Sequence, residues 1–153
     1  HCAVQRFPRL RLFGAFRPGL SGAVCGDGHR RAEPGVHGGG HGPVRPALDA
    51  ALLLEEKGIS ARVLDMYCVK PLDREAVRKA ARETKAIVTA EEHSIFGGLG
   101  SMVSQVVGES HPLPVKNLAL PDEPAIAGKS AEVFAHYGLD AQGIAKAARE
   151  VLA

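Results

Sequence analysis

The sequence is poor in the residues from which several common chemistries are built. It has no tryptophan, only two tyrosines and five phenylalanines, and three cysteines (Cys2, Cys25 and Cys68) with no C-x-x-C pair. An odd, scattered set of thiols excludes a disulfide scaffold and a thiolate zinc site, and it suits a reducing, cytoplasmic setting. No apolar run approaches the roughly 20 residues that a membrane span needs, and no secretory signal is recognisable. His37-Gly38-Gly39-Gly40 imitates the oxyanion loop of esterases, but there is no G-x-S-x-G elbow to supply a nucleophile, no H-E-x-x-H and no P-loop. His37 and His41 could give two metal ligands, yet no third has a sensible spacing. The chain opens on His1 rather than Met and reads as a piece of something longer.

What is present divides into two unlike parts. The 153 residues, 45% apolar and 24% charged, suffice for one domain with a real core. Residues 1–46 carry seven Arg, no Lys and two acids, a net charge of +5, and 15 of the 46 are Gly or Pro. Such a stretch, with no stable apolar period, is expected to be irregular. It reads as a solvated tail, as an arm for nucleic acid, or as out-of-frame translation of a GC-rich gene. Thinly spread charge and few aromatics speak against the nucleic-acid arm. Residues 47–153 carry seven Lys, five Arg and fifteen acids, net −3, and are locally consistent throughout. The boundary is expected near Pro46.

In this second part Ala47 to Lys57 reads as a helix stopped by Gly58, and Ile59 to Tyr67 as a strand. Asp73 can cap the next helix while Leu72 staples against Val77. Ala86-Ile87-Val88-Thr89-Ala90 is a continuous run suited to a strand covered on both faces. Leu99, Met102, Val103, Val106 and Val107 form one helical stripe. Pro114 to Leu118 gives a last strand, and a short helix around Glu132–His136 ends at Gly138. Leu139 and Asp140 then repeat the staple and cap, with Ile144, Ala147, Ala148, Val151 and Leu152 lining the closing helix. Strands alternating with helices predict an α/β fold, a three-layer α/β/α sandwich with a mainly parallel sheet.

Ligands of open parallel sheets gather beyond the carboxyl ends of the strands. That position holds Glu91-Glu92-His93 and then Gly97-Gly98-Leu99-Gly100-Ser101. An acid beside an imidazole could transfer protons, and glycines before a helix could let backbone amides approach an anion. Alternatively, the glycines merely allow a tight turn and the polar residues face a neighbouring surface. Val103 stands where a dinucleotide fingerprint needs Gly or Ala. His111 and His136 are expected at the surface, and Cys68 is expected to serve packing.

Lys70-Pro71-Leu72-Asp73, Ile87 through His93, and Gly97 through Ser101, followed by Leu120-Pro121-Asp122-Glu123-Pro124-Ala125-Ile126-Ala127-Gly128 and His136-Tyr137-Gly138-Leu139-Asp140, resemble the C-terminal domain of the transketolase family. The resemblance covers about residues 47–153 and is greatest to the C-terminal section of transketolases split into two chains. Deoxyxylulose-phosphate synthases and the β subunits of 2-oxoacid dehydrogenases share the domain. The latter offer a rival role as a docking module, and a free-standing nucleotide or phosphate binder is a second rival.

The resemblance implies part of a dimeric enzyme that uses thiamine diphosphate and Mg2+ to move two-carbon ketol units between sugar phosphates, as in the pentose phosphate pathway. It implies that cofactor and metal are held by pyrophosphate- and pyrimidine-binding partner domains, in a homo-oligomeric holoenzyme with no nucleic-acid or membrane partner. No catalytic, cofactor-binding or metal residue carries over to this chain, and the chain alone is expected to be inactive. Gly26-Asp27-Gly28 imitates the start of the family's cofactor motif, but the only asparagine is Asn117. The family's first strand, before the helix at Ala47, has no clear counterpart. Glu91, Glu92, His93, Gly97, Gly98 and Gly100 are the candidate residues for an interface with the missing domains.

Overall fold

The computed structural model describes residues 9–15, 44–66 and 68–153. The readings of residues 1–46 as a tail, a nucleic-acid arm or a wrong frame fall mostly outside these residues, as do His37, His41 and Gly26-Asp27-Gly28.

Among the described residues nine elements follow one another: β1 (Arg9–Ala15), α1 (Val44–Glu55), β2 (Ser60–Asp65), α2 (Arg74–Glu83), β3 (Ala86–Ser94), α3 (Leu99–Ser110), β4 (Val115–Leu120), α4 (Ser130–His136) and α5 (Ala141–Leu152). The four strands form one sheet in the order β2-β1-β3-β4, and each neighbouring pair is parallel. Helices lie on both faces, so the expected three-layer α/β arrangement is the observed one.

Period-2 alternation along β3 sorts the core into two clusters. Ala86, Val88 and Ala90 point toward one cluster, with Ala47, Ala50 and Leu54 of α1 and Ile144, Ala145 and Ala148 of α5. Ile87 points the other way, among Val77, Ala80 and Ala81 of α2 and Leu99, Val103, Val106 and Val107 of α3. A strand with helices on both faces must be apolar along its length, and β3 is buried from Ala86 to Glu91.

The punctuation works as its chemistry requires. Asp73 accepts a hydrogen bond from the Ala76 amide at 2.9 Å, and Asp140 accepts one from the Gly143 amide at 2.9 Å. Gly58 and Gly138, at φ of 72° and 68°, close their helices in the left-handed conformation. Leu139 and Ile144 are buried in one cluster, and Leu72 packs against the other beside Val77. His111 and His136 are exposed.

The described part of the first segment, Arg9–Ala15, departs from the irregular structure expected of it. Arg9–Ala15 is an interior strand, pairing with β2 on one side and β3 on the other, and α1 begins at Val44 rather than after Pro46. Leu10 and Leu12 are buried against the α1/α5 face, in register with Ala86 and Val88. Two leucines at spacing two are enough to fill one face of a short strand, although the Arg, Gly and Pro around them hide the alternation.

Candidate functional site

The carboxyl ends of β3 and β4 are where the fold leaves chemistry accessible. On the face of β3 that looks toward α3, Ile87 is followed by Thr89 and then Glu91, so an apolar row becomes polar just where the strand reaches the helix start. Thr89 and Glu91 are the two buried polar residues among the described side chains.

Glu91 is 3% exposed, and its carboxylate lies on the first turn of α3. Its Oε2 accepts from the Leu99 amide at 2.7 Å and its Oε1 from the Gly100 amide at 2.8 Å. A helix start carries orphan amides and a partial positive charge, so a buried carboxylate there is satisfied by backbone alone. Gly98 precedes the helix with no side-chain cap of its own, and a Cβ on it would land inside the Glu91 carboxylate.

Gly100 answers to a second constraint. Its Cβ would meet Asn117 Cγ at 2.6 Å and Thr89 Oγ1 at 2.9 Å. Those two side chains are joined: the Thr89 hydroxyl donates to Asn117 Oδ1 at 3.0 Å, and Asn117 Nδ2 donates to Ser104 Oγ at 3.3 Å. This chain of three residues ties β3, β4 and α3 together beneath Glu91. Pairing of Thr89 with Asn117 in the strand register brings it about.

The turn between β3 and α3 is held from both sides. The Phe96 amide donates to Ser94 Oγ at 3.3 Å and the Gly97 amide to Ser101 Oγ at 3.1 Å, while the Ser101 hydroxyl donates to the Ile95 carbonyl at 3.2 Å. Gly97, at φ 73°, turns the chain; no heavy atom lies within 4 Å of where its Cβ would stand. A shallow hollow of about 400 Å³ opens beside this turn, lined by Ser94, Leu120, Pro121, Asp122, Glu123 and Ala125.

The six candidate residues thus separate into two groups. Glu91, Gly98 and Gly100 form one buried unit, whereas Glu92, His93 and Gly97 are exposed. The glycines do let backbone amides approach an anion, and that anion is the chain's own Glu91. The amides that a phosphate or nucleotide would use are therefore taken, which disfavours the nucleotide-binding rival. Among the described residues no hydrogen bond joins His93 to either acid, so no acid–imidazole pair is assembled for proton transfer. Thr89, Ser94, Ser101, Ser104 and Asn117 were not among the candidates. A polar residue inside an otherwise apolar strand is the signal that marks Thr89 and Asn117.

Two carboxylates away from this turn are perturbed. Partial burial raises the Asp65 carboxyl, at the carboxyl end of β2, above its ordinary value. Glu109 is held below the ordinary range by hydrogen bonds, first from Arg74, whose Nη2 donates at 2.5 Å, and then from Gln105. Among the described residues no group of three or more His, Cys, Asp or Glu is arranged to hold a metal ion, and no helix is long and apolar enough to cross a membrane.

A parallel sheet between helical layers, with its helix start closed from within by a carboxylate, defines an α/β domain whose carboxyl-end turn is built for rigidity. The protein-family model described as "Transketolase, C-terminal domain" matches residues 41–144, and the chain belongs to that family. It is 57% identical over 104 residues to one subunit of the apulose-4-phosphate transketolase of Phocaeicola vulgatus, an alignment covering 68% of this chain and 33% of the relative. It is 45% identical over 112 residues to the 1-deoxy-D-xylulose-5-phosphate synthase 1 of Geobacter sulfurreducens, covering 72% of this chain and 18% of that one. Among solved structures, a split-gene transketolase described as an inactive beta4 tetramer superposes with a TM-score of 0.72 at 32% identity, over 95% of this chain and 39% of that chain. The matched region spans about a third or less of the length of these curated relatives.

Proposed function

We propose that the chain supplies the C-terminal domain of a transketolase divided between two polypeptides, which moves a two-carbon ketol unit from a ketose phosphate to an aldose phosphate. The observation that carries this reading is the family match over residues 41–144, with a transketolase-subunit relative at 57% identity. Greater similarity to a transketolase subunit than to a deoxyxylulose-phosphate synthase favours ketol transfer over the synthase alternative.

Thiamine diphosphate, with Mg2+, supplies the carbanion chemistry of such an enzyme. The described residues of this chain do not fit that group. No metal-holding cluster is present among them, the α3 amides are occupied by Glu91, and the hollow beside them is lined by Asp122 and Glu123, which repel a diphosphate. On this reading the pyrophosphate- and pyrimidine-binding domains of the same enzyme hold cofactor and metal, in a cytoplasmic homo-oligomer. This chain's contribution is assembly, through the carboxyl-end surface that includes Glu92, His93 and Gly97.

The chain alone is expected to be inactive, a reading supported by the inactive beta4 tetramer of the split-gene neighbour. Ketol transfer by the purified chain with thiamine diphosphate, Mg2+ and sugar phosphates would refute it. The positive test is a pull-down: recovery of a polypeptide carrying the two cofactor domains supports a transketolase, and recovery of an acyltransferase core supports the dehydrogenase-type docking module.

A further inference from the structure

Three large hydrophobic side chains stand well exposed among the described residues: Leu52, Phe96 and Ile126. Leu52 is alone on α1, and single exposed leucines are ordinary. The other two each stand within two residues, along the chain, of the lining of one hollow. Phe96, 68% exposed, is two residues beyond Ser94, and Ile126, 44% exposed, follows Ala125; Ser94 and Ala125 both line the carboxyl-end hollow.

The aromatic ring is carried on a rigid turn. Ser94 and Ser101 fix the Phe96 and Gly97 amides, and Glu91 fixes the start of α3 immediately behind them. On the other side, the Ile126 amide donates to the Tyr137 hydroxyl at 3.1 Å. An exposed aromatic on a turn already locked in place loses little entropy when covered, and such residues dominate binding energy at protein interfaces.

The surrounding charge states what covers it. Glu92, Asp122 and Glu123 are exposed, residues 91–101 and 117–128 contain no Lys or Arg, and the exposed Lys116 and Lys129 stand just outside the second stretch. Two copies meeting through this face would set three acids against three acids, which disfavours self-association here. We infer that Phe96 and Ile126 anchor a contact with a different polypeptide surface, one that offers an apolar cleft rimmed by Lys and Arg. Resting on the transketolase reading, that surface belongs to the cofactor-bearing part of the enzyme. Phe96 enters the cleft, Ile126 and the hollow take up apolar side chains from its edge, and the three acids pair with its basic rim.

The test grafts residues 9–153, so that β1 is kept, in place of the corresponding C-terminal part of the Phocaeicola vulgatus transketolase subunit and compares hydrogen exchange with that of the full chain alone. Residues 94–98 and 120–126 are expected to exchange at least tenfold more slowly in the graft. Phe96→Ser and the Asp122→Lys/Glu123→Lys pair are expected to lower the thermal midpoint of the graft while leaving that of the lone chain unchanged, because these side chains contribute little to its core. Unchanged exchange in the graft, or Phe96→Ser lowering both midpoints equally, overturns the inference. Ketol transfer by the assembled graft is read separately. An active graft with an unprotected Phe96 turn sinks the anchor alone, and an inactive graft with a protected turn sinks the transketolase reading alone.

Discussion

Replacing Glu91 by Gln isolates the charge that closes the α3 helix start. The substitution keeps the volume and one acceptor oxygen, but it turns an NH2 toward a backbone amide that also donates. One charge-assisted bond to a buried carboxylate is lost, about 1.5–3 kcal/mol, together with the anion's interaction with the helix start, about 0.3–2 kcal/mol. A combined loss of about 2–5 kcal/mol is a large part of the roughly 5–15 kcal/mol that holds a domain of this size. Equilibrium urea unfolding of the full chain measures it, as a lower midpoint at unchanged slope. Glu91→Ala goes further by freeing both amides. Phosphate at ten times its dissociation constant then adds about 1.4 kcal/mol to the variant and not to the parent protein. A Glu91→Gln variant within about 0.5 kcal/mol of the parent would refute the assignment of Glu91 as the internal anion of α3.

The glycines around it provide contrasting tests by the same unfolding assay. Gly98→Ala and Gly100→Ala drive a methyl into the Glu91 carboxylate and the Asn117–Thr89 pair, with losses of about 1–3 kcal/mol or more, whereas Gly97→Ala meets no neighbour and costs only about 1–2 kcal/mol of left-handed backbone strain. Asp73→Ala and Asp140→Ala each remove a helix cap and lose about 0.5–2 kcal/mol. Because the folded state holds Glu109 below its ordinary pKa, its pairing with Arg74 stabilises above the carboxylate range and fades as pH falls through the depressed value; Arg74→Ala should bring its NMR titration midpoint back up. Asp65 has the opposite sign: its raised pKa means that ionisation opposes folding as pH rises, so Asp65→Asn should match the parent in acid and exceed its stability near neutrality.

How far the sequence announces this structure depends on whether a signal is local. The helices and outer strands are marked by residues within one turn of their ends: Asp73 and Asp140 as caps, Gly58 and Gly138 as stops, and the apolar stripe from Leu99 to Val107. Each acts over three or four positions, so each can be read in place. β1 was not legible because its evidence is two leucines within a stretch whose composition argues for disorder, and its partners begin at residues 60 and 86. The candidate site was half legible. Its location beyond the β3 strand follows from the topology of parallel sheets, and the glycines do mark a close approach. That Glu91 turns inward while Glu92 faces solvent is set by strand alternation meeting the start of a helix eight residues on. Residue type alone does not distinguish the two acids.

The sheet order gives β1 a mechanical office out of proportion to its length. Among the described residues β2 pairs with the sheet through β1, so those seven residues carry the backbone pairing of the Ser60–Asp65 edge to the body of the domain. An interior parallel strand is gripped mainly by amides and carbonyls that every amino acid but proline carries, which makes the slot tolerant of what fills it yet intolerant of being empty. A polypeptide starting at Val44 would retain nearly all of the recognisable family sequence and leave a strand-wide slit through its middle, with two raw edges open to whatever backbone arrives first.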